Sequence, residues 1–155
     1  MLQDKLIFGA LAGVVADLVM SIPELALWKL KILPHPLFHY AASLFLAPDN
    51  LHGSYLGELV GFIASKVYGA FLGVVFIYLL VYTGRRYFLS KGLIYGAFLW
   101  LVSYCGLATL PVVKLDAVHP RMPFEVLLFF FLHLVFGAAL GVIARSFDRH
   151  LKAPV

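Results

Sequence analysis

Four long apolar stretches separated by polar segments dominate the pattern of hydrophobic and polar positions along this chain. They cover about residues 6–27, 57–82, 92–113 and 124–144. Each is long enough to cross the hydrocarbon core of a bilayer, which takes about 20 helical residues. Helices are expected because the bilayer core offers no water to backbone N–H and C=O groups. The pattern therefore predicts an all-α integral membrane protein with four transmembrane helices.

The composition supports this prediction and excludes other classes of protein. Of the 155 residues, 63% are hydrophobic and only 13% are charged. A soluble domain of this size needs a larger polar surface, and a disordered chain needs fewer apolar residues. The single cysteine, Cys105, excludes an intrachain disulfide framework. The length predicts one membrane domain that comprises residues 1–155.

The distribution of basic residues predicts the orientation in the membrane. The N-terminus, the 83–91 loop and the C-terminus carry seven Lys and Arg residues, against four in the 28–56 and 114–123 loops. Because cytoplasmic loops carry the excess of Lys and Arg, both termini are expected on the cytoplasmic side of the membrane. This orientation also accounts for the basic residues, so no nucleic acid partner is expected.

The first outer loop contains an apolar segment that is too short to cross a bilayer. It reads PLFHYAASLFLAP and is bounded by Pro36 and Pro48. Such a segment is typical of a short interfacial or re-entrant helix.

One octapeptide pattern recurs in all four stretches, as FGALAGVV, YGAFLGVV, YGAFLWLV and FGAALGVI. Trp100 replaces the second glycine of the third copy, where an overlapping G-x-x-x-G motif takes its place. Small residues four apart lie on one helix face and let backbones approach closely, so each motif predicts a helix–helix contact. The motifs are Gly9/Gly13, Gly69/Gly73, Gly92/Gly96 and Gly137/Gly141.

The same recurrence predicts an internal duplication. The outer loops carry the similar motifs KILPHP and KLDAVHP. Two tandem helical hairpins are expected, over about 5–83 and 91–147, related by a pseudo-twofold axis along the membrane normal. Residues 5–31 with 57–83 would then superpose on 91–147. The alternative is that such Gly, Ala and aromatic runs arise by chance in membrane helices.

The chain resembles a known family over the second to fourth apolar stretches, and over GALAGVV and a following glutamate in the first. GLIYGAFLWL follows a basic loop, Pro111 ends that span, and FEVLLFFFLHLVFGAALG comes next. This layout resembles the YagU-like group of small bacterial inner-membrane proteins. The resemblance implies an α-helical inner-membrane fold and a link to acid tolerance, and it supplies no catalytic residues.

Several polar residues fall near the middle of the predicted spans. With a rise of about 1.5 Å per residue, Asp17, Lys66 and His133 lie near the midplane, and Ser103 and Tyr104 reach the same level. Ionisable groups at that depth are costly, so each is a candidate for binding a substrate or protons. Asp17 and Lys66 are expected to pair, either in that site or only to fix the helix register. His133 either titrates in the site or forms a hydrogen bond with Ser103 or Tyr104.

A second polar layer is expected near the outer surface. It contains Glu24, Glu58 and Glu125, either as carboxylates of an outer mouth or as interface residues that reach headgroup water. His35 and His39 are four apart, as metal ligands on one helix face are, but Pro36 between them argues against a continuous helix. No metal site is therefore predicted.

Cofactors and catalytic groups are not indicated by the sequence. Haem is not expected, because a di-haem protein needs paired histidines within its spans. The chain has no nucleophile elbow, phosphate loop, H-E-x-x-H or C-x-x-C motif, so no catalytic residue is assigned. Membrane lipid is the molecule expected to bind.

Three functions stay open at this point. A transporter or proton-linked permease subunit would use the midplane residues and would need a homo-oligomer, most simply a dimer. An accessory or scaffold subunit would use its glycine faces for packing, and a monomer that uses all of them internally would favour this role. An enzyme acting on lipid head groups would need the outer histidines and glutamates in one cleft.

Overall fold

The computed structural model describes residues 4–46, 54–84, 86–107 and 122–151, and all regular structure in these ranges is helical. Five helices follow one another along the chain, and the fourth continues directly as a π-helix. They are α1 (Lys5–Lys29), α2 (Leu37–Ser43), α3 (Tyr55–Thr83), α4 (Phe88–Leu99, then the π-helix Trp100–Gly106) and α5 (Pro123–Leu151).

Three of these helices are long and apolar enough to cross a membrane. They are α1, α3 and the Pro123–Ser146 part of α5. The third predicted span, 92–113, differs: a shorter apolar helix covers Phe88–Tyr104. This helix begins at Phe88, before the predicted start at residue 92. The prediction started late because the first turn of the helix includes the polar residues Ser90 and Lys91, which an apolar pattern does not count. The predicted residues 108–113 lie outside the described part of the chain.

Polar groups fix the ends of the first and third helices. The Asp4 carboxylate accepts hydrogen bonds from the backbone N–H of Leu6 at 2.8 Å, as N-cap residues do. At the end of α3, Gly84 adopts a φ of 89°, which a side chain would disfavour. Lys91 of α4 donates to the carbonyl oxygens of Thr83 at 2.9 Å and Gly84 at 2.7 Å. This lysine joins the C-terminus of α3 to the start of α4.

The short helix expected after Pro36 is α2, which ends at Ser43, well before Pro48. It packs against the N-terminal half of α3, where a Cβ atom on Gly61 would lie 2.3 Å from the carbonyl oxygen of Phe38. A carboxylate oxygen of Glu24 accepts a hydrogen bond from the backbone N–H of Leu37. These contacts hold α2 on the C-terminal end of α1 and the N-terminal end of α3.

The long helices pack in the spatial order α3, α1, α5, α4, while α3 and α4 contact each other only sparsely. One of these contacts is at Tyr95, whose hydroxyl donates to the carbonyl oxygen of Leu72 at 2.9 Å. The Tyr95 ring also lies 5.2 Å from that of Phe76. This order leaves a space between α3 and α4 beyond the Tyr95 contact.

Close backbone approach at glycines joins α1 to α3. A Cβ atom on Gly13 would lie 2.0 Å from the carbonyl oxygen of Gly69, and one on Gly73 would lie 2.2 Å from that of Gly9. No side chain fits at such distances, so these two glycine motifs form the helix contact itself.

The same kind of contact joins α4 to α5. A Cβ atom on Gly92 would lie 2.2 Å from the carbonyl oxygen of Gly137, and one on Gly96 would lie 2.2 Å from that of His133. A Cβ atom on Gly141 would lie 2.6 Å from the carbonyl oxygen of Phe88. All eight glycines of the predicted motifs thus lie at contacts within one chain.

The register of the two helix pairs differs from the octapeptide alignment. In that alignment Gly13 of α1 corresponds to Trp100, and Gly69 corresponds to Gly137. Gly13 meets Gly69, but Gly137 meets Gly92, about two helical turns before Trp100. The alignment of the octapeptides therefore does not predict the register of α4 on α5 from the register of α1 on α3. The superposition of the two hairpins stays a prediction.

Trp100 explains this shift. Its indole cannot enter a contact between two backbones, so the contact moves towards the start of α4, to the overlapping motif Gly92/Gly96, and Gly92 takes the place opposite Gly137. The ring is instead placed against α5, where Nε1 donates to the carbonyl oxygen of Val126 at 3.1 Å. Its ring also makes an edge contact with Phe130 at 5.1 Å.

Candidate functional site

Asp17 and Lys66 form the ion pair that their depth and opposite charges predict. Lys66 Nζ donates to Asp17 Oδ2 and, at 3.0 Å, to Ser21 Oγ. Ser65 Oγ lies 3.2 Å and 3.3 Å from the two carboxylate oxygens of Asp17. The Lys66 side chain is 13% exposed and that of Asp17 6%, so the pair is held inside the bundle.

The glycine contact makes room for this pair. Asp17 follows Gly13 by four residues and so lies on the same face of α1. A Cβ atom on Gly69 would lie 2.9 Å from the Cβ of Asp17, so the carboxylate occupies space that a side chain at position 69 would take. The sequence analysis missed Ser21 and Ser65. Ser21 lies four residues after Asp17, and Ser65 lies four residues after Gly61, so each shares a helix face with a residue of known position.

His133 is buried on α5 and hydrogen-bonds within its own helix. Its Nδ1 lies 2.7 Å from the carbonyl oxygen of Phe129, one turn earlier. The expected alternative, a hydrogen bond to Ser103 or Tyr104, is not among the described contacts of His133, and its Nδ1 is used within α5 instead. Since a carbonyl oxygen only accepts, Nδ1 carries the hydrogen, and Nε2 of the neutral ring is then an acceptor.

The π-helix separates the two residues expected beside His133. Ser103 Oγ lies 2.8 Å from the hydroxyl of Tyr68 on α3, a residue that the sequence analysis missed. Tyr104 is buried in an aromatic cluster, with its ring 4.4 Å from Phe129 and 6.0 Å from Tyr40. π-helical turns often occur at functional sites, and this one directs Ser103 towards α3.

A cavity of about 800 Å³ lies where α3 and α4 diverge. Its lining is mostly apolar, and the polar side chains around it come from five helical segments. They are Asp17 of α1, Tyr40 of α2, Ser65 and Tyr68 of α3, Ser103 of the π-helix and His133 of α5. α2 covers one end of the cavity with side chains that include Leu37 and Tyr40. The predicted midplane residues thus border one space, apart from Lys66 and Tyr104, which do not line it.

The cavity extends to the side of the helix bundle. Ile63, Val67 and Phe71 of α3 line it, and each of these side chains is more than half exposed. Apolar side chains exposed on a membrane-spanning helix face the acyl chains of lipids. In a membrane, the cavity would therefore be bordered along α3 by side chains in contact with lipid.

The three glutamates of the predicted outer layer have different surroundings. Glu24 is only 2% exposed because α2 folds over it, so it does not reach headgroup water as an interface residue would. Glu125 accepts a weak hydrogen bond from the backbone N–H of Met122 at 3.4 Å, as in a capping box. Glu58 is half-buried in the first turn of α3. Across the described ranges, no hydrogen bond or ion pair joins these three carboxylates.

His35 and His39 come close together near α2. Both are buried, their ring centroids are 6.0 Å apart, and the His39 ring lies 5.4 Å from Trp28. Within the residues that the structure describes, no group of three or more His, Cys, Asp or Glu side chains could hold a metal ion. The pair of rings packs with an aromatic neighbour.

No protein-family model matches the chain, and no curated protein or solved structure matches it either. The three helices of spanning length suggest a multi-pass membrane protein. Its function must be argued from the cavity and the polar groups that surround it.

Proposed function

We propose that this chain binds an amphipathic molecule in the cavity between α3 and α4, as a transporter or proton-linked permease subunit. The observation that carries this proposal is the combination of apolar walls with the polar groups of Asp17, Ser103 and His133. Ligand sites are typically apolar cavities of about 300–1,000 Å³ with a few convergent polar groups. Polar side chains at membrane depth are costly, which favours a functional reason for keeping them.

The homodimer expected from the sequence for a transport role stays part of the proposal, and the described side chains that line the cavity would be one protomer's share of the site. A homodimer would also need a surface other than the glycine motifs, because those motifs are used inside the chain.

The proposed topology has four membrane crossings in two tandem antiparallel pairs, with both termini in the cytoplasm of a bacterium. α4 and the π-helix, which are 12 and 7 residues long, together approach the length of about 20 residues that a crossing needs. The close pairing of α1 with α3 and of α4 with α5 supports the two hairpins. A relationship to the YagU-like group belongs to the same proposal and rests on the sequence layout.

The topology predicts the accessibility of two loops. In a Cys105→Ala background, a cysteine placed at Asn50 should react with a membrane-impermeant maleimide added to intact cells. A cysteine placed at Ser90, in the first turn of α4, should react only after permeabilisation, because the basic 83–91 loop is expected in the cytoplasm. Labelling of position 90 from outside would reverse the proposed orientation.

An accessory or scaffold subunit is the second candidate function. It is favoured by the use of all eight motif glycines within one chain, since the exposed apolar faces are then left for lipid or other proteins. In this role the protein should be extracted from the membrane in fixed stoichiometry with another membrane protein, and its cavity should hold no ligand. The lipid-modifying enzyme gains no support, because Glu24 is committed to Leu37 and no described contact joins it to Glu58 or Glu125.

The proposed function predicts that filling the cavity removes its ligand. Ala64 lines the cavity on α3, so Ala64→Trp should occupy the space without removing a polar group. Native mass spectrometry of the solubilised protein should show a lipid-sized adduct on the wild type that survives mild delipidation. The adduct should be lost in Ala64→Trp.

Val75→Trp is the matched control, because it adds the same ring to an exposed position on α3 that does not line the cavity. This variant should keep the adduct. Equal retention of adducts by the wild type and Ala64→Trp would exclude the cavity as the binding site and leave the accessory role.

A further inference from the structure

Two of the polar groups around the cavity only accept hydrogen bonds. Nδ1 of His133 donates to Phe129, so Nε2 of the neutral ring can only accept. The carboxylate of Asp17 also only accepts. Tyr68 and Ser103 bond to each other at 2.8 Å, which uses one of their two hydroxyl hydrogens and leaves one. A ligand that matches these groups therefore brings hydrogen-bond donors.

The charge of the site is already balanced without a ligand. Lys66 Nζ is bound to Asp17, so this pair carries no net charge, and His133 is neutral because a charge on a side chain that is only 5% exposed would be costly. A charged head group would have to lose its hydration here without gaining an opposite charge, which is costly in an apolar environment. Hydroxyl groups, which donate without a charge, fit the site better.

The walls fit the apolar part of such a ligand. The exposed lining residues Ile63, Val67 and Phe71 let an acyl or alkyl chain lie along α3 while its polar end reaches inwards. A lipid with a large charged head group is anchored at the membrane surface, whereas a small hydroxyl head can enter the apolar region. The shape and polarity of the cavity thus favour a lipid with a small neutral head.

We propose that the cavity binds a membrane lipid whose polar end is one or two uncharged hydroxyl groups, such as a long-chain alcohol or an acylglycerol. The head donates to Nε2 of His133 and lies beside the Tyr68–Ser103 pair, and the chain follows α3. This inference rests on the proposed function, because it names the class of molecule that the same cavity takes.

The test uses a long-chain alcohol with a photoreactive diazirine in its chain, added to the full-length protein in nanodiscs. Labelled peptides are mapped by mass spectrometry, and four competitors with the same chain are compared: oleyl alcohol, methyl oleate, oleic acid and oleylamine. Oleyl alcohol should displace the probe at a concentration about fivefold lower than methyl oleate, the effect of about one hydrogen bond. The two charged competitors should also be weaker than the alcohol.

Variants of His133 test the assigned acceptor. His133→Leu should remove the preference for the alcohol over the ester, and His133→Gln should keep part of it through its amide oxygen. α4 contacts the backbone carbonyl of His133, so these replacements leave the helix contact in place. Phe131→Leu, at an exposed position of α5, is the control and should keep the full preference.

The outcomes separate this inference from the proposed function. Labelling in the cavity with equal displacement by alcohol and ester, or with stronger displacement by oleylamine or oleic acid, would overturn the hydroxyl-lipid inference and leave a binding cavity. Labelling that is the same in Ala64→Trp as in the wild type would overturn the proposed function as well. The competitor series needs only the wild-type protein, so the inference stays testable if a His133 variant does not fold.

Discussion

Replacement of Gly13 by alanine is expected to push α1 away from α3 and to destabilise the protein by about 1–3 kcal/mol or more, as overpacking does. The added methyl group would lie 2.0 Å from the carbonyl oxygen of Gly69. A flexible side chain could move aside, but this oxygen belongs to the backbone of a helix, so the two helices must separate. The free energy of unfolding, measured by circular dichroism in mixed micelles with increasing SDS, should fall accordingly.

Gly106→Ala is the matched control for this prediction. Its Cβ atom would lie 3.4 Å from the carbonyl oxygen of Leu101, which is an ordinary contact. Both variants add one methyl group to a glycine, so an additional loss of stability in Gly13→Ala reports the contact of α1 with α3. If both unfold at the same SDS fraction, that contact is looser than the structure has it.

The spans and the ion pair could be predicted because each follows from a large and simple cost. Long apolar stretches must be helical in a bilayer, and this requirement was enough to predict α1, α3 and α5. Asp17 and Lys66 were expected to meet because neither charge can be left to lipid and both lie at the same depth. Depth does not give orientation about the helix axis, so it could not show that Asp17 lines the cavity and Lys66 does not.

Other features depended on choices that the pattern leaves open. The Gly92/Gly96 motif of α4 was predicted, but its register against α5 was not, because Trp100 interrupts the octapeptide alignment. The hydrogen bond of Ser103 to Tyr68 depends on a π-helical turn, for which no residue gives a signal. The burial of Glu24 depends on α2 folding back over the end of α1, a long-range contact that local pattern does not contain.

Lys66→Met is expected to destabilise the protein by about 3–5 kcal/mol, because removing one partner of a buried ion pair leaves an uncompensated charge. Asp17 would then remain 6% exposed, with Ser65 as its hydrogen-bond donor. The double variant Asp17→Asn with Lys66→Met should recover part of this loss, since it removes both charges. The measurement is again the free energy of unfolding in SDS, and Lys5→Met, at the exposed start of α1, is the control for loss of a lysine.

The same double variant distinguishes a structural pair from a functional one. If its loss of stability equals the sum of the two single losses, Asp17 and Lys66 do not interact, and the ion pair is refuted. If stability recovers and the photoreactive alcohol still labels the cavity as in the wild type, the pair fixes the register of α1 on α3. If stability recovers but the preference for the alcohol is lost, the Asp17 carboxylate takes part in binding. In that case Lys66 would serve binding as well as stability, because it would keep the Asp17 carboxylate charged and balanced beside the cavity.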